Sequence, residues 1–359
     1  MIQGSFFYQL WHPTFELNFL LSNQNQIIMR QLKNLKDLFA ENVQRLHEGD
    51  SKQIESLPQL RDQIETKELQ ALVDREITNA TNRKEVLDEI INKLEIELDE
   101  QRPNHPVEET FRYASQIAEN SEKGIIRDAA IANPLQQLCL FDNAECEAIR
   151  SYAQTLGFED IAEKMEHFVE EERQIQQELT RLSENQLNNN QVRQLRNLND
   201  LFAENVQRQY QGDLQQVESL PQLKEQINSK ELQALVDREL THANNRKEAL
   251  EQIINRLELE LDPPRRNHPV EETFRYASQL AQNSENEVVR DAAIANPLHQ
   301  LSLQDNAECE AIRSYAETLG FQDIANQMKN FVEEGRQIHQ ELNRLAENQL
   351  KNNQEHLER

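Results

Sequence analysis

Glycine and proline are scarce in this chain, at 7 and 10 of 359 residues. Tight turns are therefore few, and the abundance of Leu, Glu, Gln, Lys, Arg and Ala favours helix. No segment alternates apolar and polar residues with period two, so no sheet is expected. Cysteine is scarcer still, at three. Cys139 and Cys146 stand on one predicted helix, about 10.5 Å apart along its axis, beyond the roughly 7 Å limit for a disulfide. Without a disulfide framework, a reducing, cytoplasmic location is expected. Basic residues number 38 against 64 acidic ones, a formal net charge of −26. That balance argues against a nucleic-acid partner, whose affinity rests on Lys and Arg neutralising phosphates. It equally disfavours an anionic membrane surface, while favouring solubility and attraction of cations. No apolar run is long enough to span a bilayer. A glycine-rich phosphate loop, a nucleophile elbow and a Cys-x-x-Cys zinc pair are all missing.

What is present is a repeat. Gln31-Leu32-Lys33-Asn34-Leu35-Lys36-Asp37-Leu38-Phe39 returns as Gln194-Leu195-Arg196-Asn197-Leu198-Asn199-Asp200-Leu201-Phe202, and the offset of 163 residues holds without a gap to Leu187 and Leu350. About three quarters of the paired positions are identical. Solenoid units run about 20–50 residues, so this period is a whole domain. Copy one is expected over 31–190 and copy two over 194–353. Residues 1–30 form an extension without a counterpart, holding the only Trp (Trp11). A signal peptide is not expected, for want of a basic start and a cleavage site. The extension is expected to be disordered or a gene-model artefact, with Met29 as the working start. N-terminal sequencing of the native protein tests that.

Each copy reads as four long helices and a short one. In copy one these fall at about 31–57, 67–98, 107–121, 126–156 and 159–185. A kink is expected at Asn133-Pro134, and Gly157 suits a helix C-terminus. A polar, proline-marked break separates the second long helix from the third. Four amphipathic helices with so long a middle connection predict an all-α fold. It consists of two tandem ferritin-like four-helix bundles, each with a long crossover and a short extra helix.

Acids interrupt each apolar stripe. Asp50 lies between Leu46 and Ile54. Leu69-Leu72 continues to Glu76, Asn79 and Arg83. Leu135-Leu138 leads to Asp142 and Glu145, and Met165-Phe168 to Glu172. A buried carboxylate needs a cation or hydrogen bonds. Carboxylates from four helices around two metal ions are one solution. Copy two offers Asp213, the Glu239-x-x-His242 pair on one helix face, Asp305 and Glu308. Copy one offers Asp50, Glu76, Asp142, Glu145 and Glu172, but carries Asn79 where copy two has His242. Glu172 becomes Gly335. Arg83 and Arg246, on the same stripes, offer another solution: a guanidinium neutralising the acids without metal. Occupied metal sites, charge-paired vestigial sites and acids on a solvated face all stay open. His105 and His268, in Asn-His-Pro loops, suit turns or caps. Cys146 and Cys309 suit the core, and Cys139 is replaced by Ser302.

Several short motifs resemble the YciE/YciF-type ferritin-like family. They are Leu35–Phe39, Ile126-Arg127-Asp128-Ala129-Ala130, Ala153–Phe158 and Glu170-Glu171-Glu172, repeated at Leu198–Phe202, Val289–Ala293, Ala316–Phe321 and Glu333-Glu334. The resemblance implies a ferritin-like fold, a two-metal carboxylate centre and a place in bacterial stress responses. This chain departs from the family pattern in having Asp50 and Asp213 where a Glu is usual. It also has Cys139-Leu140-Phe141-Asp142 and Ser302-Leu303-Gln304-Asp305 where Glu-His-Tyr-Glu is usual. The expected function is therefore stress-related binding of iron or a similar divalent metal, with at most weak oxidase-type activity. The alternative is a non-catalytic helical scaffold or protectant. Metal ions are the expected partners, and assembly into homo-oligomers stays open.

Overall fold

The computed structural model describes residues 30–99, 105–188, 195–259 and 268–352. The expectations for the N-terminal extension and Met29 lie outside the described residues. Those residues form ten helices and no strand. Copy one comprises α1 (Leu35–Arg61), α2 (Lys67–Leu94), α3 (His105–Asn120), α4 (Ile125–Thr155) and α5 (Glu159–Asn188). Copy two repeats them as α6 (Leu195–Lys224), α7 (Lys230–Leu257), α8 (His268–Asn283), α9 (Glu287–Thr318) and α10 (Gln322–Asn352). In copy one α1 packs along α2 and α4 along α5, while α1 also meets α4 and α2 meets α5. The long connection between α2 and α4 contains α3. Each copy is thus a ferritin-like four-helix bundle with a crossover and one short extra helix. None of the described helices is long and apolar enough to cross a membrane.

The helix ends follow local chemistry. The Asn34 side chain accepts from the Asp37 amide at 3.1 Å, so α1 starts at Leu35 and not at residue 31. Leu32 instead pairs with the other copy, donating to Asn283 O at 2.8 Å and accepting from Glu285 N at 3.0 Å. α1 runs on through Pro58, since burial of Leu57 and Leu60 offsets the missing donor. Gly157 and Gly320 close α4 and α9 with φ of +76° and +80°, a conformation costly for any residue with a Cβ.

Each bundle has two apolar clusters with a polar layer between them. In copy one Leu38, Val43, Leu87, Ile149 and Met165 lie at one end. Leu57, Leu69, Leu135, Leu138 and Ile175 lie at the other. Asp50, Glu76, Asp142 and Glu172 separate the two, and all are buried. The solvated-face alternative is thereby corrected, because the stripes carry these acids inward together with the apolar residues.

The copies pack against each other with approximate two-fold symmetry. Val289, Ala292 and Ala293 of α9 join the core of copy one, and Ile126, Ala129 and Ala130 of α4 join that of copy two. Asn133 donates to Asn205 at 2.7 Å and Asn296 to Asn42 at 2.8 Å. The Tyr152 hydroxyl donates to Ala292 O, and that of Tyr315 to Ala129 O, both at 3.4 Å.

Asp128, within this segment, also clamps its own bundle. Its carboxylate accepts from the amides of Glu65 at 3.0 Å and Thr66 at 2.8 Å, fixing the α1–α2 loop. Asp291 does the same for Asn228 and Ser229. We expect Asp128→Ala to lower stability by about 2 kcal/mol, since it removes two charge-assisted bonds and orphans two amides. Urea denaturation measures this, and an unchanged midpoint would refute the clamp.

Candidate functional site

The polar layer of copy one is organised by Arg83, which is fully buried. Its Nε donates to both Asp50 oxygens, at 2.9 and 3.1 Å. Its Nη2 reaches Asp142 at 2.7 Å, and its Nη1 pairs with Glu172. Gln53 donates to Asp142 at 2.7 Å and Asn79 to Glu172 at 2.6 Å. One guanidinium thus ties together acids from α1, α4 and α5. Glu76 stands apart from it: its Oε2 accepts from the Cys139 thiol at 3.8 Å, and its Oε1 has no hydrogen-bond partner among the described residues. Burial, reinforced by Glu172, pushes the Glu76 carboxyl well above the usual range, with Arg83 opposing. Burial likewise raises Glu172 to about 7 against the pull of Arg83.

Copy two keeps the plan with changed members. Arg246 Nε donates to Asp213 at 2.8 Å and its Nη2 to Asp305 at 2.7 Å. Gln216 donates to both Asp305 oxygens, at 2.8 and 2.9 Å. Gln209, where copy one has Leu46, donates to Asp213 and Asp305, each at 3.1 Å. Arg246 Nη1 faces His242 Nδ1 at 3.3 Å. His242 Nδ1 is 3.9 Å from Glu239 Oε1, so the Glu-x-x-His spacing brings both residues to one face. Neither Glu239 oxygen, nor His242 Nε2, has a hydrogen-bond partner among the described residues. Gly335 supplies no carboxylate at the Glu172 position, and the Asn306 side chain occupies the space, its Oδ1 2.2 Å from where a Cβ would stand.

Glu145 and Glu308 turn away from these layers, towards the opposite copy. Arg45 pairs with Glu145 at 3.0 Å and donates to Gln300 of the other copy at 3.0 Å. Gln300 itself donates to Glu145 at 3.2 Å. Symmetrically, Arg208 meets Glu308 at 3.2 Å and Gln137 at 2.7 Å. Each guanidinium lies over a tyrosine of the opposite copy, Arg45 on Tyr276 at 3.9 Å and Arg208 on Tyr113 at 3.8 Å. The Asp-x-x-Glu pairs on α4 and α9 are therefore divided, one acid to the bundle centre and one to the interface. Sequence reasoning passed over Arg45, Gln53 and Gln137. The signal for them was their retention, beside the acids, as Arg208, Gln216 and Gln300.

This donor set does not fit a pair of metal ions. Arg83 and Arg246 hold the acids that would bridge two ions, and a guanidinium in that place supplies the positive charge that a bridged pair of ions would bring. One family model, described as Domain of unknown function (DUF892), matches residues 34–192 and again 197–355. The chain belongs to this family. It carries the family's domain twice in tandem. The solved structure of the stress protein YciF from E. coli is matched over 100% of its length by 44% of this chain, with 21% identity and a TM-score of 0.41. None of the curated proteins compared with the chain matches it.

One difference between the chain's two copies lies at their interface. His299 and His339 stack with ring centroids 4.2 Å apart, where copy one has Gln136 and Gln176. His299 Nε2 sits 3.8 Å from Glu147 of copy one, which also pairs with Arg173. Burial, aided by Arg173, pushes His299 down to about 4. Burial, with His299 and Arg173, lowers His339 to about 3, against Glu147. An unfolded histidine titrates near ~6.5, so on acidification the unfolded chain takes up this proton first. The stability due to neutral His299 is complete above about pH 6.5 and lost progressively towards pH 4. By about pH 5 the loss is ~2 kcal/mol. His299→Gln lacks it, so between about pH 7.5 and 5 the variant should gain ~2 kcal/mol relative to the parent. Parallel denaturation at both pH values checks this, and a pH-independent gap refutes it.

Proposed function

We propose that this protein is a stress-related, ferritin-like tandem scaffold whose two bundle centres are held by charge pairing. Neither centre is a working two-metal site in this reading. One observation carries it: a buried arginine binds three acids in copy one and two in copy two. A ferritin-type centre needs those carboxylates for ions, and here a side chain supplies the positive charge. The stress role rests on the motifs shared with the YciE/YciF-type family, and the net charge of −26 suits a protectant that must remain soluble. Anaerobic Fe(II) titration of the full chain, followed by exposure to oxygen, tests the reading. Two ions per bundle with rapid Fe(II) oxidation would sink it.

A second reading is one iron or similar divalent ion in copy two, held by Glu239 and His242. It is favoured by the lack of hydrogen-bond partners on both Glu239 oxygens and on His242 Nε2. Stoichiometric binding of a single ion, lost in Glu239→Ala and in His242→Ala, would support it. Binding that survives both substitutions would remove it.

A further inference from the structure

The triad Glu76, Cys139 and Glu172 lies beside Arg83, on α2, α4 and α5. One ligand atom from each residue can be chosen so that all lie within 4.8 Å of one another. Their relative exposures are 2%, 1% and 0%, so water does not serve these groups as bulk solvent would. The two carboxylates each keep one oxygen without a hydrogen-bond partner among the described residues: Oε1 of Glu76 and Oε2 of Glu172. Orphaned carboxylate oxygens at such depth are unfavourable unless something positive reaches them. Arg83 is committed to Asp50, Asp142 and the other oxygen of Glu172. Asp50, Asp142 and Glu172 share this one guanidinium and Glu76 stands outside it, so balancing the layer takes further protons or a cation. Copy two lacks both special members, since Ser302 replaces Cys139 and Gly335 replaces Glu172. Acid and thiol are present together in one copy and absent together from the other.

We propose that Glu76, Cys139 and Glu172 form a mononuclear site for a thiophilic divalent cation of the zinc class, present in copy one alone. One thiolate and two carboxylates suit Zn²⁺ or Co²⁺, which accept mixed S and O ligands around a tetrahedron. Mg²⁺ and Ca²⁺ require about six or more oxygens and do not suit a three-residue set containing sulfur. The 3.8 Å between Cys139 Sγ and Glu76 Oε2 is near the edge of a tetrahedron built on bonds of roughly 2.0–2.3 Å. On binding, the thiol proton is released to solvent and the sulfur takes the cation in its place. The site is separate from the Glu239–His242 pair, and the scaffold reading stands or falls without it.

Co²⁺ titration of the full-length, reduced, metal-free chain tests the site, because cobalt–thiolate bonds absorb in the near ultraviolet. The expected result is one Co²⁺ per chain with that band, displaced by Zn²⁺. Cys139→Ser should abolish the band and weaken Zn²⁺ binding by roughly tenfold or more. Copy two already carries serine at this position, so the substitution is compatible with the fold. Glu76→Gln should weaken binding similarly, whereas Cys309→Ser should leave the band intact. Absence of the band in the parent, its persistence in Cys139→Ser, or its loss in Cys309→Ser would each overturn the proposal.

Discussion

Arg83→Met is expected to destabilise the chain by about 3–5 kcal/mol, the range for removing one partner of a buried ion pair. Methionine fills much of the volume but supplies no charge. Asp50, Asp142 and Glu172 would then remain buried, with Gln53 and Asn79 as their remaining donors. The loss comes from carboxylates left without a cation more than from the lost attraction itself. An exposed pair such as Arg75 with Glu178 contributes far less, because water screens it. Urea denaturation gives the size of the effect. A further arm tests why the arginine is there. If it occupies the place of a cation, Mn²⁺ should raise the melting temperature of Arg83→Met more than that of the parent. Manganese is apt because it prefers oxygen ligands over the nearby thiol. A variant as stable as the parent would show that the acids do not depend on Arg83 for neutralisation.

Arg45→Ala should lower stability by about 3 kcal/mol through the junction between the copies. It removes the pair with Glu145, the bond to Gln300 and the stacking on Tyr276. Burial already raises Glu145 to about 7 against the pull of Arg45. Without the arginine, its carboxylate keeps Gln300 as the donor across the interface. Arg208→Ala should cost a similar amount, because its surroundings repeat those of Arg45. The double variant Arg45→Ala/Glu145→Ala should lose less than the two single losses added, since no unpaired charge is left behind. Strict additivity in that cycle would contradict the pairing.

Much of the fold was legible in the sequence. The 163-residue offset gave two equal bundles, and the interrupted stripes gave the acids interior spacing, though only the structure showed them buried. Arg83 and Arg246 were recognisable as internal cations because they continue the stripes of α2 and α7. Partner choice was less legible. Asp142 and Glu145 are three residues apart and so share a helix face, yet they serve different neighbours. α4 is buried around most of its circumference, so its pattern has no solvent side from which to set the phase. α1 starts later than the apolar spacing predicts, at Leu35, for a related reason. Leu32 continues the apolar spacing, but its backbone bonds go to the other copy.

The sequence by itself determined two tandem all-helical bundles, with acids and an arginine at interior spacing along their stripes. Periodicity and internal repetition are local and additive along the chain, so they survive without coordinates. Only the tertiary structure decided which acid each guanidinium neutralises, which carboxylate oxygens stay orphaned, and that Cys139 stands against Glu76. Those outcomes turn on ångström distances between helices far apart in the chain, and a hydrogen bond or an ion pair depends steeply on such distances.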